Sequence, residues 1–209
     1  RASSFQARSA TGSRWAAVGV DGVVRWVSRR DAAAPGPLTE TRTFEVARGD
    51  GYKGCCDVVN RGAAYWKGRL YWGTLDGRLI AVDAKTGKRI WQVATVAPGA
   101  KNTITGAPRV VKGKVIIGNG GAELGVRGYI TAYDANDGSE LWRFYTIARP
   151  GEANGTSWNG LPLDGRSGGS VWHQGTYDAG LNLIYFGVAP TYDTGPLLKR
   201  AGPDTSNDA

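Results

Sequence analysis

Two settings in this 209-residue sequence hold side chains with the chemistry for a site. Cys55 and Cys56 are adjacent, and the chain has no other cysteine. Neighbouring Cα atoms lie about 3.8 Å apart across a trans peptide, short of the roughly 4.4–6.8 Å usual for a disulfide, so bridging them would close a strained ring. Such a ring encloses almost no loop and gains little of the chain-entropy stabilisation that explains ordinary disulfides. It would present a flat, polarisable face and would need an oxidising compartment. Two reduced buried thiols or a pair of metal ligands are the alternatives, although a closed zinc site is not expected without His or further Cys nearby. The second setting is Glu123, which follows Gly120, Gly121 and Ala122. Small residues permit close backbone approach to a ligand, and an ionised carboxylate suits a hard cation or a polar cofactor. A solvated loop acid is the plainer account of a lone Glu. The sole histidine, His173, lacks a nucleophile or metal partner and reads as a structural or surface residue.

The elements that would position these groups are legible as repeats. Residues 81–91 (AVDAKTGKRIW) recur as residues 132–142 (AYDANDGSELW), both reading AxDxxxGxxxW at an offset of 51. Asp can bond turn amides, Gly supplies a positive φ, and the following strand carries Trp to a core face. A further strand pair precedes each copy, at residues 65–73 and 110–118, and residues 175–187 begin a third unit. About four strands in roughly 50 residues is the period of a propeller blade, so the expected fold is all-β, a partial β-propeller with Trp-docking repeats at Trp91 and Trp142. Three to four such units cannot close a ring of about six to eight blades, and an open edge should leave this stretch marginal or insoluble by itself. The spacing from Gly73 to Gly118 is 45 residues, but that from Ala81 to Ala132 is 51. Extra residues are therefore inserted at 119–128, where Glu123 lies.

Composition agrees with this class. Thirty-two Gly, eight Trp and nine Tyr, with short aliphatic runs between turn residues, favour many short strands. No apolar run approaches the roughly 20 residues of a bilayer-spanning helix. The net charge of +8 is scattered singly between strands without a basic stripe among stacking aromatics, so nucleic acid is not an expected partner. Arg1 stands first and Met is absent, as in a piece of a longer chain. Residues 1–48 hold eight Arg and no Lys, and their only strand-like run is 18–27, followed by the linker-like stretch 32–37. They read as a separate, Arg-rich segment, either a poorly ordered leader or residues altered by a frame error, with no functional residue.

Residues 49–209 resemble the quinoprotein alcohol dehydrogenases of the methanol and ethanol type, eight-bladed propellers that bind pyrroloquinoline quinone (PQQ). The resemblance is carried by GCCDVVNRG at residues 54–62, TITGAP at 103–108, the 120–128 insert and GSVW at 169–172. It implies a vicinal Cys55–Cys56 disulfide over one face of PQQ and Trp172 stacked on the other. It further implies Arg61, Thr105 and Ser170 as donors to the cofactor's polar rim, Gly120, Gly121 and Ala122 as its backbone approach, and Glu123 as a ligand of Ca2+ or a lanthanide. Singly, Arg61 reads as an ion-pair partner, Thr105 and Ser170 as turn residues and Trp172 as core; together, in one order, they favour the cofactor. The resemblance puts Pro190 where much of the family has a metal-ligand Asn; its side chain cannot coordinate, which leaves Thr191, a backbone carbonyl, water or a different way of holding the cation as the alternatives. No catalytic residue is assigned, because the resemblance puts the acidic base beyond residue 209.

The activity so implied is oxidation of an alcohol to an aldehyde or ketone by hydride transfer to the quinone, assisted by the cation, with this stretch inactive by itself. The implied partners are a small alcohol, a cytochrome c acceptor and a membrane surface met peripherally, and the implied location is the bacterial periplasm after export. A non-enzymatic propeller acting as an assembly scaffold fits the repeats equally well, but gives no account of Cys55, Cys56 and Glu123.

Overall fold

The structure is a computed structural model that describes residues 59–191 apart from residue 159, together with the backbone of four N-terminal strands. β1 (Ser4–Arg8), β2 (Arg14–Val20), β3 (Val23–Arg29) and β4 (Glu40–Glu45) form one four-stranded sheet. A second comprises β5 (Ala64–Trp66), β6 (Arg69–Gly73), β7 (Arg78–Asp83) and β8 (Arg89–Ala94). The third comprises β9 (Arg109–Val111), β10 (Lys114–Gly118), β11 (Tyr129–Asp134) and β12 (Glu140–Tyr145). β13 (Thr176–Asp178) and β14 (Leu183–Tyr185) pair as a two-stranded sheet. Within every sheet each strand is antiparallel to its sequence neighbour, the meander of a propeller blade. The fold is a partial β-propeller.

Residues 18–27, expected to be the only strand-like run of the first 48, belong to two strands, β2 and β3, which pair from Arg14↔Arg29 to Val20↔Val23. An Asp-Gly hairpin signal at positions 21 and 22 interrupts what reads as one valine run. β4 (ETRTFE) has no aliphatic run to announce it, only strand-prone Thr and Phe among charges.

Local chemistry accounts for the repeat. In the inner hairpins Lys67 and Gly68 take φ of 45° and 78°, and Lys112 and Gly113 take 46° and 77°, the paired positive values of a two-residue turn matched to strand twist. In the AxDxxxG turns, Asp83 accepts the amides of Lys85 and Thr86 at 2.9 and 2.7 Å, and Asp134 accepts that of Asn136 at 2.7 Å. Burial alone would raise the pKa of Asp83, but the hydrogen bonds from Thr86 and Lys85 outweigh it and hold the carboxyl below the ordinary value.

Alternation along the strands divides the core into seams. Val115 and Ile117 of β10 join Tyr71, Leu79, Ala81, Trp91 and Tyr133 between the second and third sheets. Ile116, Ile130, Ala132 and Val171 face the other way, with Ile184 and Phe186 packed on them. Burying a side chain of this size contributes about 1.5–3 kcal/mol, so each seam is worth several such increments.

The two Trp of the repeat differ in their surroundings. Trp91 is 8% exposed, and its Nε1 donates to Ala135 O of the next sheet at 3.1 Å. Tyr71 Oη and Arg69 Nη1 donate to the same carbonyl at 3.0 and 2.9 Å. A Cβ on Gly138 would lie 2.8 Å from the Trp91 ring, so this motif glycine also makes room for docking. Trp142, expected to dock likewise, is 39% exposed beside Phe144 at 63%. Among the described residues the adjoining sheet has two strands, without the AxDxxxG turn that receives Trp91.

Candidate functional site

Trp172 lies on the segment between the third sheet and β13, and neighbours on both sides fix its backbone. Ala189 N donates to Ser170 O at 2.8 Å, Gly169 N donates to Pro190 O at 3.3 Å, and Gly168 bridges Arg127 and Thr191. From the third sheet and its approach, glycines press on the same segment. A Cβ on Gly118 would fall 2.2 Å from Val171 O, and one on Gly106 would fall 2.5 Å from Trp172 O. No other residue type fits so close a crossing.

A second segment reaches the indole from the other end of the described chain. Arg61 N donates to Thr105 O at 2.9 Å, and the Arg61 guanidinium carbon lies 4.7 Å from the centroid of the Trp172 ring. This is a cation–π contact. Asn60 braces the approach, its Nδ2 donating to Gly73 O at 2.8 Å and its Oδ1 accepting Gly62 N at 2.9 Å. The His173 ring packs against Trp172 with centroids 3.4 Å apart and planes tilted by 34°. Ser170 is 2% exposed, and its Oγ finds no hydrogen-bond partner among the described residues, which is costly for a buried hydroxyl.

The insertion between β10 and β11 forms the third part. Gly120 and Thr103 exchange backbone bonds, at 2.7 Å from Gly120 N and 3.2 Å from Thr103 N. The chain then turns left-handed at Gly121 (φ 101°) into a 3₁₀ turn, Ala122–Leu124. Ala122 is buried and Glu123 exposed, with no hydrogen bond or ion pair to the Glu123 carboxylate among the described residues. Tyr129, which opens β11, donates its hydroxyl to Thr95 O at 2.8 Å, and burial pushes its pKa up to about 12.

Arg61, Thr105, Ser170 and Trp172 are thus brought to one place, and residues 101–106 connect them to Gly120, Gly121 and Ala122. Glu123 belongs to that connected frame but is not bonded to the Trp172 group. Cys55 and Cys56 lie outside the described residues. Among the described residues no cluster of three or more His, Cys, Asp or Glu exists, so Glu123 would be one ligand of a cation and not a complete set. Sequence reasoning missed Asn60, Asn119 and the packing of His173 on Trp172. Asn119, in Gly-Asn-Gly-Gly, carried a readable signal as a side chain able to bond turn backbone.

An aromatic plate, a guanidinium over it and a buried hydroxyl lacking a partner form a donor set suited to a planar molecule with anionic oxygens at its rim. By that test the residues fit PQQ, a flat tricarboxylate. Fold and site together define the class: a propeller segment whose residues fit a planar, anionic cofactor. Residues 21–201 match the family model described as PQQ, glucose/ethanol/alcohol dehydrogenase, beta-propeller domain, and the chain belongs to that family. It is 56% identical over 145 residues to a quinohemoprotein alcohol dehydrogenase of Pseudomonas putida, covering 64% of this chain and 20% of that protein. The crystal structure of the quinohemoprotein alcohol dehydrogenase from Comamonas testosteroni superposes with a TM-score of 0.76 at 40% identity, over 93% of this chain and 30% of the other. A europium-containing methanol dehydrogenase gives 0.74 at 31%, over 89% and 37%. The chain spans about a fifth to a quarter of the length of the curated relatives it matches.

Proposed function

We propose that this chain forms part of the cofactor site of a PQQ-dependent alcohol dehydrogenase whose substrate is a small alcohol. The observation that carries the reading is the convergence of Arg61, Thr105 and the Ser170–Trp172 backbone at one indole, with Ser170 Oγ left without a partner among the described residues. When bound, the quinone supplies a two-electron acceptor for oxidation of the alcohol, with the cation as Lewis acid. Trp172 would bear one face of the flat ring by offset stacking. Arg61 would move its guanidinium from the indole face to the rim and pair there with a carboxylate, while the hydroxyls of Ser170 and Thr105 donate beside it. Gly120, Gly121 and Ala122 would lie close to the rim, and Glu123 would give the cation one anionic oxygen. Ca2+ or a lanthanide suits such an oxygen, and the europium-containing relative supports the second choice. Cys55 and Cys56, as a vicinal disulfide in an oxidising compartment, would cover the opposite face.

The acceptor is proposed to be a cytochrome c, supported by a relative named 1-butanol dehydrogenase (cytochrome c), and the location to be the bacterial periplasm at a membrane surface. No observation favours the scaffold alternative. The test is to express the full-length protein, reconstitute it with PQQ and either cation, and follow dye-linked oxidation of a panel of short alcohols. Turnover dependent on both additions is expected; turnover of no alcohol under any loading would overturn the enzyme reading.

A further inference from the structure

The β6–β7 and β10–β11 connections begin at the same position of the repeat, Thr74 in one and Asn119 in the other, each directly after the last glycine of its strand. Each side chain closes its hairpin in the same way. Thr74 Oγ1 accepts Arg78 N–H at 3.1 Å, and Asn119 Oδ1 accepts Tyr129 N–H at 2.9 Å. Arg78 and Tyr129 are themselves equivalent, as the first residues of β7 and β11. Thr74 Oγ1 also donates, to Asp76 Oδ1 and Arg78 O within its own turn, whereas Asn119 turns its donor on the first peptide of the insertion. Its Nδ2 donates to Gly120 O at 3.1 Å, and the side chain is 1% exposed, shielded from competing water. The same Gly120 carbonyl accepts Thr103 N, so the first peptide of the insertion is held from two directions. Three residues further on stands Glu123.

We infer that Asn119 is a positioning residue for the cation: its acceptor closes the β-hairpin, its donor holds the insertion at Gly120, and the second bond sets how firmly Glu123 is presented. This rests on the reading of Glu123 as a cation ligand. A ligand held by bonded outer groups binds tighter because less ordering remains to be done on binding.

The test uses the full-length protein and titrates it with terbium(III), followed by sensitised luminescence, and with Ca2+ by calorimetry. Asn119→Thr installs the side chain that the sister hairpin uses, keeping an oxygen to accept Tyr129 N–H but replacing the amide NH2 that reaches Gly120 O with a single, shorter hydroxyl; Asn119→Ser is the second variant with the same property. Both should melt close to the parent yet bind the cation about ten- to hundredfold more weakly. Asn119→Leu, which loses both bonds, should bind more weakly still, and Glu123→Gln should abolish site binding. If the parent binds and Asn119→Thr or Asn119→Ser binds equally well, the inference is overturned while the reading of Glu123 stands. If Glu123→Gln binds like the parent, both fail together.

Discussion

The connections after β6 and after β10 occupy the same place in successive sheets but differ in what they leave unpaired. In the first, Thr74 N donates to Arg78 O and Gly77 N to Thr74 O, each at 2.9 Å, and Asp76 pairs with Arg78 at 2.7 Å. Its one acid is satisfied within the turn. In the second, the chain is longer and glycine-rich, and Glu123 keeps its carboxylate free of bonds among the described residues. The blade supplies the same rigid hairpin in both cases; the insertion adds an acid that the fold itself does not use. A buried frame with one uncommitted ligand at its rim is what a binding site needs and what a purely structural turn lacks.

The largest effect expected from breaking this difference comes from replacing residues 119–128 of the full-length protein with the Thr-Leu-Asp-Gly turn of residues 74–77. The hairpin should form, with the melting temperature lowered by loss of the Gly120–Thr103 and Arg127–Gly168 bridges, and cation-dependent PQQ binding, followed by titration, should vanish. If binding survives, the insertion is not the source of the ligand.

A similar contrast holds between the two motif tryptophans. Trp91→Ala removes a buried ring and its bond to Ala135, and should cost about 3–5 kcal/mol in denaturant unfolding. Trp142→Ala should cost well under half as much, because the indole is 39% exposed among the described residues. Equal costs would show that Trp142 has a partner beyond the described residues.

Smaller again is a pH effect at the AxDxxxG turn. The folded pKa of Asp83 lies below its unfolded value, so its contribution is present above the unfolded pKa and is lost as pH falls through the folded one. Stability measured between neutral pH and the acid range should therefore decline on the acid limb, and Asp83→Asn should flatten that limb. An unchanged limb would remove the hydrogen bonds of Thr86 and Lys85 from the account. The smallest effect is expected at the closed turn: Arg78→Ala breaks a partly exposed ion pair and should cost less than about 1 kcal/mol.

The blades were legible because their determinants are local. Asp at the strand end, Gly in the turn and Trp beyond it specify a hairpin within eleven residues, and two copies fixed the period. The site was legible in part, since residues 103–108, 120–128 and 169–172 kept their order and the structure gathers them. What the sequence withheld depends on neighbours distant in the chain. Trp142 has the same local motif as Trp91, and only the facing sheet decides whether the ring is covered. Gly138 reads as a turn glycine, and nothing nearby in sequence says that Trp91 needs its empty side. Asn119 reads as a side chain able to bond turn backbone, but only the fold shows that Tyr129 and Gly120 are its two partners.

The central claim, that Trp172 and its neighbours hold PQQ while Glu123 holds its cation, is tested most directly by a crystal structure of the full-length protein loaded with PQQ and Ca2+ or a lanthanide. The account predicts the quinone stacked on the Trp172 indole, with Arg61 and Ser170 Oγ on its anionic oxygens and a Glu123 carboxylate oxygen on the ion. An ordered quinone lying away from Trp172, or an ion bound without Glu123, would contradict it.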